Sequence, residues 1–271
     1  FASYNDLLEE VAKFRAARRM WAKIMRERFK AKEAKSLMLR FHTQTAGVTL
    51  TAQQPENNVI RCTIQALAAI LGGTQSLHVN SKDEALALPT EEAVQLSLRT
   101  QQVIAHESGV ADSVDPLAGS YYLEAMTNRL EEEAWSYIKQ IDQMGGAVTA
   151  LEQGFQMREI QDSAYKHQQE VEDGKRLIVG VNKYVSESPP IKTLRMDPGE
   201  TQKQIDRLIT TRRERDNTKS TASLERLKEV AKSNDNTLPP IIECVEAYAT
   251  IGEICDVLRS VFGEQTQYSF F

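Results

Sequence analysis

Two short segments of this chain carry polar side chains where a buried strand is expected, and they constrain the fold more than any other feature. The first is residues 36–41 (SLMLRF), which predict a buried strand that runs on into polar residues 42–44. Successive strand side chains point to opposite faces, so two sets are predicted: Arg40, His42 and Gln44 on one face, and Phe41, Thr43 and Thr45 on the other. Polar groups buried under helices cost on the order of a few kcal/mol each unless they are hydrogen-bonded. We therefore expect a polar ligand to meet the first face.

Helices and strands are predicted to alternate around these segments. Apolar residues at helical spacing predict a helix over residues 7–29, and residues 58–71 predict a well-buried helix that Gly72 and Gly73 end. A second polar strand over residues 74–80 precedes a helix over 90–106, with Thr90 as its N-cap. This alternation is typical of a parallel α/β sheet or barrel, in which ligands bind at the C-terminal ends of the strands. His42, Gln44, His78 and Asn80 are expected there.

The rest of the chain is predicted to be mainly helical. After residues 121–124 the chain is predicted to enter a helix, which ends at Gly145 and Gly146. The further elements expected are helices over 147–153 and 156–172, a strand over 176–185, and helices over 201–215, 220–232 and 240–262. The proline-containing stretch 186–199 predicts a linker, which separates an α/β region, residues 1–185, from a helical C-terminal extension, residues 200–271.

The composition narrows the classes of partner. The 271-residue chain has a net charge of −5, which argues against nucleic acid as the main partner. The first predicted helix and its exit loop are nevertheless strongly basic: Lys13, Arg15, Arg18, Arg19, Lys23, Arg26, Arg28, Lys30, Lys32 and Lys35. This basic stretch is either a solvated helix face or a docking surface for phosphate or a partner.

The cysteines and the apolar runs bear on location. Cys62, Cys244 and Cys255 have neither metal-binding nor redox spacing, and their odd number without a signal peptide predicts a reducing cytoplasm. The longest apolar run, around residues 64–71, is well short of the roughly 20 residues of a membrane span, so no membrane segment is expected. No metal site is predicted.

Four segments carry a resemblance to a known family: RFHTQTAGVTLTAQQPENNVIR, GGTQSLHVNSKDEALALPT, HESGVADSVDPLAGSYYLE and RLIVGVNKY. They resemble the catalytic large subunit of the adenosylcobalamin-dependent acyl-CoA mutases, the methylmalonyl-CoA mutase family, over residues 1 to about 262. The resemblance implies that residues 1–185 are the C-terminal part of an eight-stranded TIM-type (β/α)8 barrel, starting near its fifth strand. In that family the barrel is threaded by the pantetheine arm of coenzyme A.

The same resemblance implies roles for individual residues. His42 and Gln44 match residues that hydrogen-bond the acyl group of the substrate and the reacting centre. Gln75 and Ser76 match contacts to the pantetheine arm, and Lys35 is expected near a coenzyme A phosphate. The implied cofactor contacts are Asn80 beside the adenosyl group, and Gly47, Glu84, Ala85 and Leu88 against the upper face of the corrin. Each of these residues also has an alternative interpretation without a ligand. His42 and Gln44 would be a hydrogen-bonded core histidine and amide. Gly47 would be a turn glycine, Glu84 a surface acid and Lys35 a solvated lysine.

Departures from the family pattern shape the expected partners. Val48 and Thr49 stand where the classical methylmalonyl-CoA enzymes have Trp-Ser, which favours the branch with separate large and small subunits. The Asp-x-His-x-x-Gly motif of the cobalamin-binding domain is not found, so a small cobalamin-binding subunit is expected to supply it, and the N-terminal half of the barrel is expected elsewhere. The substrate stays open between the methylmalonyl-CoA/succinyl-CoA type and the 2-hydroxyisobutyryl-CoA/isobutyryl-CoA type. The alternative function is a non-catalytic module that docks a partner through the basic helix and the C-terminal bundle.

Overall fold

A computed structural model of the chain describes residues 1–187, 191–195 and 197–264. It divides into two compact units, residues 1–194 and the residues from 195 onward, and this division falls within the predicted 186–199 linker. Residues 188–190 and 196 of that linker, and residues 265–271 of the predicted extension, lie outside the described residues. The described part is mostly helical, with one small parallel sheet.

The sheet belongs to the first unit. Its elements, in chain order, are β1 (Ala2–Ser3), α1 (Leu7–Glu27), β2 (His42–Thr45), α2 (Asn57–Leu71), β3 (Ser76–His78) and α3 (Glu91–Glu107). The strands lie in the order β1-β2-β3, and both pairs are parallel. In the register, His42 is opposite Ser76 and Gln44 is opposite His78. The predicted alternation of helices with parallel strands is confirmed for these elements.

The first of the two predicted polar strands, β2, begins later in the chain than predicted. Ala34–Leu37 form a short 3-10 helix, and the strand covers only His42–Thr45, so the prediction of a strand over residues 36–41 is wrong. The carbonyl of Ser36 accepts a hydrogen bond from the indole of Trp21 in α1, which ties the 3-10 helix to α1. The predicted alternation of faces is confirmed, since residues 41, 43 and 45 are buried whereas 40, 42 and 44 are exposed.

The sheet is covered on one side by α1 and α2. Phe14 of α1 stacks on Phe41 with ring centroids 5.4 Å apart, and Ala69 of α2 completes that cluster. Small residues let α2 approach closely, because Ala66, Ala68 and Ala69 are fully buried. The predicted helix ends at Gly72, as expected, where the ring of Phe14 leaves no room for a Cβ atom.

Three further helices complete the first unit: α4 (Tyr121–Gln143), α5 (Ala147–Glu152) and α6 (Phe155–Glu172). The segment after α6 is not the predicted strand over residues 176–185. It is a turn with one isolated bridge, Val179 to Lys183. The side chain of Asn182 closes this turn, because its Oδ1 accepts from the Ile178 amide while its Nδ2 donates to the carbonyl of Arg176.

The second unit contains α7 (Pro198–Glu214), α8 (Asn217–Ala231), α9 (Leu238–Glu246) and α10 (Ile251–Phe262). Leu227, Cys244 and Ile254 form its core. The single helix predicted over residues 240–262 is two helices, because Tyr248 adopts a left-handed conformation (φ 57°) and Thr250 begins α10 with a capping box to Glu253. Residues 198 and 199, assigned to the linker by the sequence, are the first turn of α7.

Candidate functional site

The exposed face of β2 and β3 brings several of the predicted site residues together. Gln44, His78 and Asn80 lie near or just past the C-terminal ends of the strands, as predicted. The prediction that His42 lies at such an end is wrong, because β2 starts later in the chain than predicted and His42 is its first residue. His42 and Ser76 face each other across the two strands, and the Nδ1 atom of His42 lies 2.6 Å from the Ser76 hydroxyl oxygen. Both side chains are exposed, so this hydrogen bond fixes one ring nitrogen of the imidazole and leaves the other ring nitrogen free. A histidine held in this way can donate to or accept from a ligand.

Gln44 and Asn80 form a second polar pair beside the first. The Nε2 atom of Gln44 donates to Oδ1 of Asn80 over 2.9 Å. Asn80 is almost completely buried (2% exposed), whereas Gln44 is exposed. The buried amide is thus part of the scaffold, and the exposed amide is the group that a ligand can reach.

Gly47 lies where the chain leaves β2, and two other predicted residues close around it. A Cβ atom at this position would lie 2.5 Å from Oε1 of Glu84 and 2.9 Å from Nδ2 of Asn80. Only glycine allows so close an approach. Partial desolvation raises the pKa of the Glu84 carboxyl; Asp83 acts in the same direction, whereas His78 opposes it.

An apolar rim adjoins this glycine. Val48 is 81% exposed and Leu88 is 61% exposed, and Ala85 also reaches solvent. The loop that carries residues 84–88 is anchored by Asp83, which is 1% exposed and accepts hydrogen bonds from the Ser81 hydroxyl and the Thr90 amide. The rim therefore consists of exposed apolar side chains on two segments, which meet where Gly47 approaches Glu84.

The two other predicted substrate-side residues lie differently. Gln75 is exposed, but its amide is already engaged: Oε1 accepts from the Phe41 amide at 2.8 Å and Nε2 donates to the Gly73 carbonyl at 2.6 Å. These bonds link the start of β3 to the residue before β2, beside the backbone bond from the Gln75 amide to the Phe41 carbonyl at 3.2 Å. Lys35 is exposed in the 3-10 helix, and within the described ranges it makes no hydrogen bond with another predicted site residue through its side chain.

Sequence reasoning missed the buried amides that support these strand ends. Gln65 of α2 is fully buried; its Oε1 accepts from the Ala46 amide, and its Nε2 donates to Asn5 and Thr49. Asn58, seven residues earlier on the same helix face, is also fully buried and bonds both ways to the backbone of Thr51. Two amides spaced seven residues apart in an otherwise apolar helix were the available signal.

Four of the ten residues in the basic stretch contact acids of α4. Arg19 and Lys23 both contact Glu131, whose side chain is only 7% exposed. Arg15 contacts Glu124 at 2.6 Å, and Arg28 makes two bonds to Asp142. Burial alone raises the pKa of Glu131, but the hydrogen bonds from Lys23 and Arg19 outweigh it and the pKa is lowered. Part of this surface therefore belongs to a helix interface.

No group of three or more His, Cys, Asp and Glu residues in the described ranges is arranged to hold a metal ion. No helix in that part of the chain has the length and apolarity to cross a membrane.

A parallel sheet covered by helices defines the class of α/β proteins, and this sheet exposes the side chains of His42, Gln44 and Ser76. Within that class, residues 1–264 match the family model described as methylmalonyl-CoA mutase, and the chain belongs to that family.

Three relatives illustrate the similarity. The chain is 45% identical to the 2-hydroxyisobutanoyl-CoA mutase large subunit of Aquincola tertiaricarbonis, over 100% of the chain and 49% of that relative. It is 45% identical to methylmalonyl-CoA mutase of Rhizobium meliloti (98% of the chain, 38% of the relative) and 41% identical to the mitochondrial methylmalonyl-CoA mutase of Homo sapiens (94% and 34%). The chain thus spans about half the length of these relatives, or less.

Proposed function

We propose that this chain is part of an adenosylcobalamin-dependent acyl-CoA mutase, which rearranges the carbon skeleton of a short-chain acyl-CoA. Family membership supports the reaction class. The observation that carries the proposal is the exposed polar face of β2 and β3, where His42 and Ser76 are opposite each other and Gln44 lies near the C-terminal end of β2. In this proposal the three strands belong to a TIM-type barrel, whose strand ends are the usual ligand site.

On the substrate side, His42 and Gln44 orient and polarise the acyl group through hydrogen bonds. Ser76 holds the imidazole of His42 and lies beside the path of the pantetheine arm, with Gln75 next to it. Lys35 is exposed and free to approach a coenzyme A phosphate as a point charge. The acyl group is of the methylmalonyl/succinyl type or the 2-hydroxyisobutyryl/isobutyryl type, the two reactions after which relatives of this chain are named.

The residues proposed for the cofactor fit a flat macrocycle. Gly47 offers no side chain, and Val48, Ala85 and Leu88 offer an exposed apolar rim beside it. Glu84 supplies a polar group next to Gly47, and the buried Asn80 supports the segment proposed to lie beside the adenosyl group. Adenosylcobalamin, when bound, supplies the radical chemistry that a carbon-skeleton rearrangement requires. The protein residues exclude water and hold the substrate next to the cofactor.

The partners proposed are a small cobalamin-binding subunit and the N-terminal half of the barrel. One relative is itself named a large subunit, which supports a two-subunit arrangement. A reducing cytoplasm is the proposed location, supported by three cysteines that are all free thiols.

The alternative of a non-catalytic docking module is less well supported. Its main argument was the basic first helix, and four of those basic residues contact acids of α4. The exposed polar strand ends would have no role in such a module.

The test is an isomerase assay on the complete protein, with adenosylcobalamin and each of the two acyl-CoA types. We expect cofactor-dependent conversion of at least one acyl-CoA into its skeletal isomer. An assembly that binds adenosylcobalamin and interconverts neither pair would contradict the proposal.

A further inference from the structure

Thr45, the last residue of β2, has no role in the function described so far. Its side chain is 1% exposed and lies on the buried face, away from the ligand side. It nevertheless makes two separate contacts with Asn80. The hydroxyl oxygen accepts a hydrogen bond from the Asn80 backbone amide at 2.8 Å, and the Thr45 carbonyl accepts one from Nδ2 of Asn80 at 2.9 Å.

These contacts lie just past the end of the regular ladder. The ladder between β2 and β3 ends at the pair Gln44 and His78. The Thr45 hydroxyl therefore forms one more hydrogen bond between the two segments, beyond the last backbone pair and next to the exposed Gln44. A valine would fill the same space but would leave the buried Asn80 amide without an acceptor.

The bond to the Thr45 carbonyl fixes which way the side-chain amide of Asn80 points. The bond from the Asn80 backbone amide to the Thr45 hydroxyl holds Asn80 where that bond can form. A backbone carbonyl can only accept, so the atom of Asn80 next to the Thr45 carbonyl must be nitrogen. The oxygen of Asn80 then faces the opposite way, toward Gln44. Nε2 of Gln44 donates to it, at 2.9 Å.

The orientation of Gln44 follows from that of Asn80. With Nε2 turned toward Asn80, the Oε1 atom of Gln44 and its second N–H are left for a ligand. An exposed glutamine has three rotatable side-chain torsions and an amide that can flip, so the hydrogen bond to Asn80 confines it.

We propose that Thr45 is a positioning residue which, by holding Asn80, fixes the orientation of the Gln44 amide at the ligand face. The proposal rests on the proposed function for its effect on turnover, but the clamp between the strands is a property of the fold. Because the clamp acts through geometry rather than through substrate contact, its loss should lower kcat more than it changes KM.

The strand supplies a matched control. Thr43 lies on the same face of β2, is fully buried, and its hydroxyl oxygen has no hydrogen-bond partner. Thr43→Val therefore makes the same chemical change two residues away without touching the clamp. Thr45→Ser keeps the hydroxyl oxygen and is the conservative rescue.

Two measurements on the complete protein test the proposal. Hydrogen exchange at the Asn80 backbone amide does not depend on any activity. We expect it to be about tenfold or more faster in Thr45→Val, and unchanged in Thr43→Val and Thr45→Ser. In the mutase assay, we expect Thr45→Val to lower kcat about tenfold with KM nearly constant, and Thr45→Ser to restore most of it.

The outcomes separate the two claims. Unchanged exchange at Asn80 in Thr45→Val would overturn the clamp. Faster exchange with wild-type kcat in folded Thr45→Val would overturn the positioning role, and an equal loss of kcat in Thr43→Val would reduce the effect to general packing. A wild-type assembly without mutase activity would contradict the proposed function, while the exchange experiment would still decide the clamp.

Discussion

At the scale of single residues, the candidate site on β2 and β3 combines exposed polar side chains with buried polar side chains that hold them. His42 and Gln44 are exposed and free to meet a ligand, whereas their partners include the buried Asn80. A buried amide whose oxygen and nitrogen are both hydrogen-bonded keeps one orientation, and it restrains the exposed amide bonded to it. The site therefore depends on residues that a ligand does not touch.

Replacing His42 tests the side chain proposed to hydrogen-bond the reacting acyl group. We expect His42→Ala in the complete assembly to lower turnover by about 10²-fold, a typical size for one lost catalytic hydrogen-bonding group. His106→Ala is the control, because His106 is exposed in the last turn of α3, outside the strand ends. Wild-type turnover in a folded His42→Ala variant would remove His42 from the mechanism.

Gly47 tests the cofactor side of the site. In Gly47→Ala the added methyl group would lie 2.5 Å from Oε1 of Glu84, so the carboxyl group must move. We expect the affinity of the assembly for adenosylcobalamin, measured by titration, to fall about tenfold, or about 1.4 kcal/mol. Gly252→Ala is the control, because its Cβ would meet only the Thr250 hydroxyl, at 3.9 Å. Equal affinities for Gly47→Ala and the wild type would count against the cofactor role of this glycine.

At the scale of elements, α2 connects the ends of the strands. Gln65 bonds to Asn5 after β1 and to Ala46 and Thr49 after β2, so one side chain fixes the exits of two strands. Asn58 does the same for residues 51 and 82. The helix is thus a polar scaffold for the loops of the site as well as an apolar cover for the sheet.

Removal of the Gln65 amide should destabilise the first unit. Gln65→Leu leaves the Ala46 amide and the Thr49 hydroxyl without this partner, so we expect the free energy of unfolding to fall by about 2–4 kcal/mol. Gln95→Leu, at an exposed position of α3, is expected to change it by less than about 0.5 kcal/mol. Denaturant unfolding of both variants measures the difference, and equal midpoints would show that the amide network adds no stability.

The second unit contains a pH-sensitive pair of elements. Arg215, at the end of α7, makes two bonds of 2.7 Å to Glu253 in α10, and the pKa of Glu253 is lowered to about 2 chiefly by this partner. The folded state favours the ionised carboxylate, so the pair stabilises the fold above pH 4.5, the ordinary pKa of the group, and this stability is lost as the pH falls toward 2.

Glu253→Gln tests this pair. We expect it to cost about 1–2 kcal/mol at pH 7 and progressively less as the pH is lowered from 4.5 toward 2, as measured by thermal unfolding across that range. Glu246→Gln, at an exposed position of α9, is the matched control and should cost little at any pH. A cost for Glu253→Gln that stays constant down to pH 2 would contradict the assigned linkage.

Much of this arrangement could be predicted from periodicity. The alternation of faces over residues 40–45 followed from the two-residue period of a strand. The end of α2 was predicted from Gly72, and the start of α3 was predicted from Thr90. The strand predicted over 36–41 was wrong because a short apolar run looks alike in a strand and in a 3-10 turn packed on a helix. The strand over 176–185 was wrong because the Asn182 side chain closes a turn, which depends on contacts beyond the local pattern. The roles of Thr45 and Gln65 depend on partners 35 and 60 residues away.

At the scale of the whole molecule, the chain is proposed to act as one part of a larger assembly. It spans 49% or less of the relatives described above, and its sheet, within the described residues, has β1 and β3 as edge strands. Edge strands of a parallel sheet expose unpaired backbone groups and favour pairing with further chain. The activity proposed here therefore belongs to the complete assembly.

The most direct test of the account asks whether an acyl-CoA binds along the exposed face of β2 and β3. Hydrogen exchange measured by mass spectrometry on the complete assembly, with and without the acyl-CoA that it converts, resolves this by segment. We predict slower exchange over residues 42–47 and 76–80 when acyl-CoA is bound, and no change in α8. Protection confined to other segments, with residues 42–47 and 76–80 unaffected, would contradict the placement of the site.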